Sequence, residues 1–418
     1  MKLNIHSLQV EVDEQGHLIL PPEISKRFGL VPGAVIQVEE GSSRLNISRS
    51  SAALAKIYIE PTNLCNLDCR TCMRNVWDEP LGLMSDETFS KILQGAKQFS
   101  STPTIFFGGF GEPLVHPKII EMVQAAKVAG SEVELITNGI LLNEAVSGKL
   151  MDAGLDRIWV SIDGATPESY EDVRLGASLP QVIENLMAMQ KLRTLTGHSF
   201  PKLGIAFVAM KRNIADLPKV VRIGKRLGAD QFSISNVLPH TQELKGQVLY
   251  GRSIYERNNL PSQWVPLIAL PRLEMNALTK EPLAETLKDW NMLSVARQEL
   301  EMGANTCPFV EKGSISIRWD GAASPCLPLL HTHESYLDEH LRQNHSYSVG
   351  NINKHSLLEV WNNPAYVKLR ERLLEFDFSP CTICNSCEMA EANLEDCFGN
   401  VQPACGGCLW AQGFIQCP

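Results

Sequence analysis

Six short apolar runs alternate with amphipathic stretches between residues 55 and 236, and this alternation limits the possible folds more than any other feature. The runs are AKIYIE (55–60), PTIFF (103–107), EVELI (132–136), RIWVSI (157–162), KLGIAFV (202–208) and QFSIS (231–235). Strand–helix repetition of this kind predicts parallel strands joined by right-handed crossovers. Six units, rather than eight, predict an open partial barrel of the α/β class.

Two of the intervening helices have recognisable ends. The first is expected to begin after Ser85, because Asp86 and Glu87 fall in its first turn and apolar residues follow at helical spacing. The second is expected to run from residue 116 to residue 129 and to end at Gly130.

The whole chain has an ordinary globular composition. Its 418 residues are 44% hydrophobic and 20% charged, which allows two or three domains with substantial cores. A net charge of -9 argues against broad nucleic-acid binding. The chain begins without a secretory signal, and no apolar run reaches the ~20 residues of a membrane helix. We therefore expect a cytoplasmic protein.

Twelve cysteines are unusual for such a chain, and they are clustered. Three lie between residues 65 and 72, nine lie after residue 300, and none lies between the two groups. Cytosolic proteins rarely keep many disulfides, so clustered cysteines predict metal binding.

Polar and cysteine-containing motifs follow the predicted strands, at the end where barrel enzymes place their chemistry. The first strand is followed by EPTNLCNLDCRTCMR, with CxxxCxxC spacing, and the second by GGFGEP (108–113). The third is followed by TNG (137–139), and the fourth ends at Ser161 and Asp163. The sequence therefore predicts one site at this edge of the sheet.

The spacing of Cys65, Cys69 and Cys72 indicates an iron–sulfur cluster with one open position. A four-iron cluster normally takes four thiolates, so three leave one iron free for a substrate. The amino and carboxylate groups of S-adenosylmethionine (SAM) can fill that position. One electron would then break the sulfonium bond and give methionine and a 5′-deoxyadenosyl radical. The alternative is a zinc site, for which His116 is the candidate fourth ligand.

From residue 55 to residue 240 this pattern resembles the radical SAM superfamily. The resemblance implies that Gly108, Gly109 and Glu112 hold the methionine amino group, and that Arg174 pairs with the SAM carboxylate. It also implies contacts to the ribose and methionine ends from Ser161 and Asp163, with Asn138 nearby.

One position departs from the family pattern. Many members have an aromatic residue just before the third cysteine, where this chain has Thr71. Adenine contacts are therefore expected from Met73 or from the loop near Asn236 and Val237.

The remaining cysteines form a second field in a segment rich in proline and glycine. Cys307 and Cys326 bracket a hairpin-like stretch, and this early part resembles the SPASM-type extension, which carries auxiliary four-iron clusters. The later members are Cys381, Cys384, Cys387, Cys397, Cys405, Cys408 and Cys417. Their spacing differs from the usual one. Nine thiols would fill two clusters with one left over, so the ligands of each cluster stay open. Structural zinc is the alternative for part of the set.

The first 49 residues resemble an AbrB-like swapped-hairpin domain, a family of intertwined dimers that often bind DNA. Five positive and six negative side chains give this segment a charge of -1, which is unfavourable for phosphate binding. We therefore expect dimerisation or partner docking. The chain then divides into residues 1–49, a barrel over 50–240, a bridge or substrate lid over 241–304, and a SPASM-like extension over 305–418.

The C-terminal string NLEDCFGNVQPACGGCLWAQGFIQCP, together with the AbrB-like start, resembles radical SAM maturases of tungsten-cofactor oxidoreductases of the aldehyde ferredoxin oxidoreductase type. The resemblance implies action on the tungsten–pterin cofactor or on its apoenzyme. It also implies a low-potential ferredoxin or flavodoxin as the electron donor.

Two alternatives remain for the function. One is a SPASM-type enzyme that modifies peptides by thioether, C–C or formylglycine chemistry. The other is an iron–sulfur DNA-binding regulator. His240, His331 and His333 are candidate acids or bases, and the last two are also candidate metal ligands.

Overall fold

The computed structural model describes residues 11–20, 53–250, 273–287, 306–337, 339–379, 381–382 and 387–418, with the backbone of four further strands at 36–40, 45–49, 267–269 and 294–295.

The N-terminal segment contains two antiparallel hairpins. Strand β1 (Glu11–Val12) pairs with β2 (Leu18–Ile19), and β3 (Ile36–Glu40) pairs with β4 (Leu45–Arg49). The short helix predicted near Pro22 lies outside the described residues. The swapped-hairpin dimer stays a prediction.

The six predicted barrel strands are confirmed. They pair in parallel and in chain order, so their carboxyl ends lie along one edge. Their bounds are β5 Lys56–Ile59, β6 Thr104–Phe107, β7 Val133–Thr137, β8 Arg157–Ser161, β9 Lys202–Ala209 and β10 Ala229–Asn236.

The sheet extends past these six strands on both sides, to eleven strands among the described residues. The five added strands are β11 Leu267–Ala269, β12 Ser294–Val295, β13 Ser314–Ile317, β14 Ala322–Ser324 and β17 Gly350–Asn351, and two further strands are β15 His333–Leu337 and β16 His340–Asn344. Strands β11 and β12 continue in parallel beyond β10, so the predicted bridge contributes to the sheet. Strand β13 pairs in parallel with β5, and β14 and β17 follow in antiparallel pairing. Strands β15 and β16 form a separate hairpin.

Helices connect the strands as expected. Their bounds are α1 Asp86–Ala96, α2 Ile119–Val128, α3 Glu144–Asp152, α4 Pro167–Val173, α5 Leu179–Thr196, α6 Leu217–Arg226, α7 Gln242–Lys245, α8 Lys280–Leu287, α9 Pro308–Glu311, α10 Leu357–Trp361 and α11 Pro364–Glu375.

The two predicted helix ends can be compared with the structure directly. Helix α1 begins after Ser85, whose side chain accepts a hydrogen bond from the Thr88 N–H, as predicted. Helix α2 ends before Gly130 but begins three residues later than predicted. The reason is Pro117, which keeps His116 in an extended conformation, with φ -69° and ψ 122°.

The inner face of the sheet is covered by the C-terminal extension. Tyr58, Phe106 and Trp159 point to this face and pack with Phe309 and Leu330. The Tyr58 ring centroid lies 5.2 Å from that of Phe106 and 5.8 Å from that of Phe309. The extension therefore completes the core of the barrel.

Burial predicts which leucines matter for stability. Leu135→Ala, at a position 0% exposed in β7, should destabilise the fold by about 2–5 kcal/mol, because it removes apolar contacts and leaves a cavity. Leu195→Ala, at a position 72% exposed in α5, is the matched control and should change stability by less than about 0.5 kcal/mol. Anaerobic thermal melting followed by circular dichroism measures both. Equal shifts in melting temperature would contradict the packing described.

Candidate active site

The carboxyl ends of β5 to β8 open on one cavity of about 240 Å³. Residues predicted from four separate loops meet in its wall. They are Cys65, Cys69, Cys72, Gly109, Glu112, Asn138, Ser161 and Arg174. Gly108 and Asp163, which were predicted with them, lie behind the wall.

The cysteine loop is held in shape by Arg74, a residue that the sequence analysis did not single out. Its Nε donates to Cys72 Sγ at 3.4 Å, and its two terminal nitrogens donate to the carbonyls of Asn63 (3.1 Å) and Leu67 (3.0 Å). The position of an arginine two residues after the third cysteine was the available signal, because a cation favours nearby thiolates.

Burial disfavours the thiolate forms of two cysteines of this loop, Cys65 and Cys69. It raises the pKa of Cys69 to about 11, and it raises the pKa of Cys65 as well. Ligation of iron therefore has to displace the thiol protons, as metal binding does generally.

His116, the candidate fourth ligand of the alternative zinc site, already uses both ring nitrogens in other hydrogen bonds. His116 Nε2 lies 3.0 Å from the carbonyl of Met84, and Nδ1 accepts from the Lys118 N–H at 3.2 Å. No group of three His, Cys, Asp or Glu side chains within the described ranges is arranged to hold a single metal ion. Three thiols around one cavity, beside Arg74 and Arg174, fit a larger anionic group.

Glu112 ties together the loops that follow β6 and β7. Its Oε1 accepts from Thr137 Oγ1 at 2.8 Å and from the Leu114 N–H at 3.0 Å, and its Oε2 accepts from the Asn138 N–H at 2.7 Å. Burial raises the pKa of this carboxyl, and the three hydrogen bonds oppose that shift. A carboxylate has about four acceptor positions, so one remains for a ligand cation.

Two glycines of the GGFGEP loop permit close backbone approach. A Cβ on Gly111 would lie 2.1 Å from the carbonyl oxygen of Thr62. Gly109 has φ +96°, and a Cβ there would lie 2.7 Å from Glu60 Cβ. Gly108 instead packs against Phe106 and Ile136. The glycine loop can therefore approach Thr62 and Glu60 this closely only because positions 111 and 109 are glycine.

Asp163 occupies a different place from the predicted one. It is fully buried, with Oδ2 accepting from Arg174 Nε at 2.7 Å and Oδ1 from the Val208 N–H at 2.7 Å. A buried carboxylate needs such partners, which turn it away from the cavity. Of these two paired residues, only Arg174 lines the cavity, where its Nη1 lies 4.0 Å from Cys69 Sγ.

Of the other residues predicted to contact SAM, some line the cavity and others do not. Asn138 Nδ2 donates to Asn66 Oδ1 at 2.8 Å and lies 3.9 Å from Cys65 Sγ. Of the positions predicted for adenine contact, Met73 lines the cavity. Asn236 does not, and its Nδ2 donates to the carbonyl of Phe414 at 2.8 Å.

A second cavity of about 60 Å³ brings together four of the nine later cysteines. Cys307, Cys326, Cys405 and Cys408 all line it, although 101 positions separate the first from the last. Burial raises the pKa of Cys307 to about 12 and raises those of the other three. Four thiols around one cavity match the number that a cysteine-ligated iron–sulfur cluster normally takes.

The remaining cysteines lie elsewhere. Cys381 is buried, with its Sγ 3.1 Å from Ser379 Oγ, whereas Cys387 and Cys397 are exposed. Cys417 packs on the inner face of the barrel. Cys384 lies outside the described residues.

Comparison with known proteins identifies the family. The Radical SAM superfamily model matches residues 59–200, and the SPASM iron–sulfur cluster-binding domain matches residues 307–388. The tungsten-containing aldehyde ferredoxin oxidoreductase cofactor-modifying protein of Pyrococcus furiosus is 32% identical over 368 residues, which are 87% of this chain and 96% of that protein. The chain is a radical SAM enzyme with a SPASM domain.

Other relatives agree with this assignment. The PqqA peptide cyclase of Granulibacter bethesdensis is 25% identical over 350 residues, covering 82% of this chain and 81% of that protein. Streptococcus suis SuiB bound to S-adenosylmethionine shares the fold, with a TM-score of 0.54 and 16% identity over 81% of this chain and 72% of that one. Radical SAM proteins bind a four-iron cluster with SAM, and SPASM domains bind auxiliary iron–sulfur clusters. The two cysteine-lined cavities fit these groups. Among the described helices of this radical SAM enzyme, none has the length and apolarity needed to cross a membrane.

The radical SAM site and the SPASM domain are joined by a buried ion network. His331 is fully buried, with Nε2 2.9 Å from Glu60 Oε1 and Nδ1 2.6 Å from Glu79 Oε2. The N–H of Phe110, in the glycine loop, donates to Glu60 Oε2 at 3.1 Å. Burial would lower the pKa of His331, but the hydrogen bonds and charges of the two carboxylates raise it overall. His331 therefore connects the extension to both loops of the site.

The other two candidate histidines are also buried. His333 lines the second cavity, and burial lowers its pKa to about 4, which keeps it neutral. Burial also lowers the pKa of His240, whose Nδ1 lies 3.1 Å from the carbonyl of Leu238. Leu238 and Trp410 line both cavities, so the two cavities share a wall.

The close approach of Gly111 predicts a large effect of a single methyl group. Gly111→Ala should weaken SAM binding at least about tenfold, ~1.4 kcal/mol, because the new Cβ displaces the loop that carries Glu112. Gly148→Ala is the control, since a Cβ there meets nothing closer than 3.5 Å. Anaerobic calorimetry with SAM measures the affinities. An unchanged affinity in Gly111→Ala would contradict this account.

The raised pKa of His331 predicts a pH-dependent contribution to stability. The contribution is complete below the ordinary histidine value of 6.5 and is lost as pH rises through the folded-state value. The difference in melting temperature between the wild type and His331→Gln should therefore shrink as pH is raised from about 6 to about 9. His198→Gln, at an exposed position, serves as the control. A difference that grows with pH would refute the protonated bridge.

Proposed function

We propose that this radical SAM enzyme acts in the maturation of a tungsten-dependent oxidoreductase, on its pterin cofactor or on the apoenzyme that receives it. The observation that carries this proposal is the match to the Pyrococcus furiosus cofactor-modifying protein, which extends over 96% of that protein. The match covers 87% of this chain, which is far more than the barrel alone.

In this proposal Cys65, Cys69 and Cys72 ligate the cluster that binds SAM. When bound and reduced, the cluster supplies the electron that cleaves SAM into methionine and a 5′-deoxyadenosyl radical. The protein's own contribution is to bind and orient SAM. Support comes from the shared cavity, in which the three thiols face Glu112, Asn138 and Arg174.

Arg174 and Glu112 would recognise the two charged groups of the methionine part of SAM. Arg174 is anchored through Nε by Asp163, which leaves its terminal nitrogens available for the SAM carboxylate. Glu112 retains one acceptor position for the ammonium group. Opposite charges fixed by separate loops would set the orientation of SAM before it reacts.

The later cysteines are divided between two auxiliary clusters in this proposal. Cys307, Cys326, Cys405 and Cys408 ligate the first, because they line one cavity. The second would take its ligands from the remaining residues Cys381, Cys384, Cys387 and Cys397. Cys417 is left over, and its packing against the barrel interior supports a structural role.

Two kinds of partner complete the proposal. A low-potential ferredoxin or flavodoxin would supply the electrons. Residues 1–49 would dimerise or dock a partner rather than bind DNA, because their net charge is -1.

A peptide or protein substrate is the second candidate. It is favoured by the 25% identity to a PqqA peptide cyclase over 82% of the chain. A substrate peptide would increase the rate of SAM cleavage when it is added to the enzyme, which distinguishes this candidate from a maturase.

Co-expression tests the maturase proposal. An aldehyde ferredoxin oxidoreductase apoenzyme is produced with tungstate, with and without this chain, and its activity and the mass of its extracted cofactor are measured. Both should change only when the chain is present. Cys65→Ala should abolish the change, because the cluster loses a ligand, whereas Cys417→Ala, at the left-over cysteine, should preserve it.

If neither activity nor cofactor mass responds to the chain, the tungsten assignment is wrong. The radical SAM assignment is checked separately by the formation of 5′-deoxyadenosine under dithionite, which Cys65→Ala should also abolish.

A further inference from the structure

Arg342 is a buried cation beside the four-cysteine cavity. It lies on β16 and is 3% exposed. One terminal nitrogen donates to the carbonyl of Ala390 at 2.6 Å and the other to the carbonyl of Ala404 at 3.2 Å. Its Nε has no hydrogen-bond partner in the described part of the chain.

Both partners of this guanidinium are neutral carbonyl groups. Within the described ranges no carboxylate lies within 4.0 Å of it, although the other buried arginine at a cysteine site, Arg174, is paired with Asp163. Burying a cation without a counter-charge is strongly unfavourable. We therefore expect a negatively charged group next to the Arg342 guanidinium.

The thiols are the groups that face Arg342. Arg342 lines the second cavity together with Cys307, Cys326, Cys405 and Cys408. A Cβ on Gly407 would lie 2.9 Å from the guanidinium carbon, so the charge packs directly on the turn between Cys405 and Cys408.

We propose that Arg342 is the counter-charge of the auxiliary cluster held by Cys307, Cys326, Cys405 and Cys408, and that it raises the reduction potential of this cluster. The inference rests on the ligand set given under Proposed function. A four-iron cluster with four thiolates is anionic and gains a further negative charge when a ferredoxin- or flavodoxin-type donor supplies one electron. A fixed cation at low dielectric favours the more negative, reduced state.

A purely structural role makes a different prediction. If Arg342 only joins the carbonyls of Ala390 and Ala404, its replacement would loosen this region without moving a potential. Arg342→Gln removes the charge and keeps one amide donor. Arg342→Lys keeps the charge and cannot bridge both carbonyls in the same way.

The test is a redox titration followed by electron paramagnetic resonance on full-length, anaerobically reconstituted enzyme without substrate. Arg342→Gln should weaken the electron affinity of one cluster at least tenfold, a midpoint about 59 mV lower for a one-electron couple. Arg342→Lys should retain most of the wild-type midpoint. Arg193→Gln, in α5, is the control and should leave all midpoints unchanged.

Two results would overturn the proposal: unchanged midpoints in Arg342→Gln at full iron content, or equal shifts in Arg342→Lys and Arg342→Gln. If Arg342→Gln fails to fold, Arg342→Met, which also removes the charge, is titrated in its place, and unchanged midpoints there overturn the proposal. Cys405→Ala identifies the signal of this cluster by removing it. If no signal changes in Cys405→Ala, the ligand assignment has failed, and the role of Arg342 fails with it. None of these measurements depends on the tungsten substrate.

Discussion

The contact of His331 with Glu60 and Glu79 is the interaction on which the arrangement of the active site depends. Glu60 follows the first barrel strand, Glu79 follows the cysteine loop, and the glycine loop is attached to Glu60 through the Phe110 N–H. One imidazole from the extension thus links the cysteine loop and the glycine loop. Removal of this imidazole would leave the fully buried Glu60 without its histidine partner, which is why the three segments have to stay together.

The same dependence holds for the hydrophobic core. Ile315 and Ile317 of β13 share one core with Ile57 and Ile59 of β5, and the opposite face of the sheet is covered by Phe309 and Leu330. The barrel of six strands is therefore not packed on its own. Its inner face becomes buried only when the cysteine-rich segment has folded against it. That segment has Cys307 and Cys326 on the two sides of its β13–β14 hairpin.

The local sequence pattern predicted much of this architecture. Contacts between residues far apart in the chain could not be predicted in this way. The six barrel strands were predictable because each is an apolar run bounded by turns, and parallel order then placed Cys65, Glu112 and Arg174 at one edge. Strands 267–269 and 294–295 are too short to show a period. The bond from His331 to Glu79 joins residues 252 positions apart, and the grouping of Cys307 with Cys408 is set by tertiary packing, so spacing could not reveal either.

The wall formed by Leu238 and Trp410 has a consequence for how such an enzyme diversifies. Two compartments that share these side chains cannot be resized independently at that boundary. A smaller residue at position 410 would enlarge both at once, and a larger one would crowd both. A change at this boundary that fits a new substrate would also alter the surroundings of the four cysteines in the second cavity. A change of substrate is therefore more readily accommodated at the walls that the two compartments do not share.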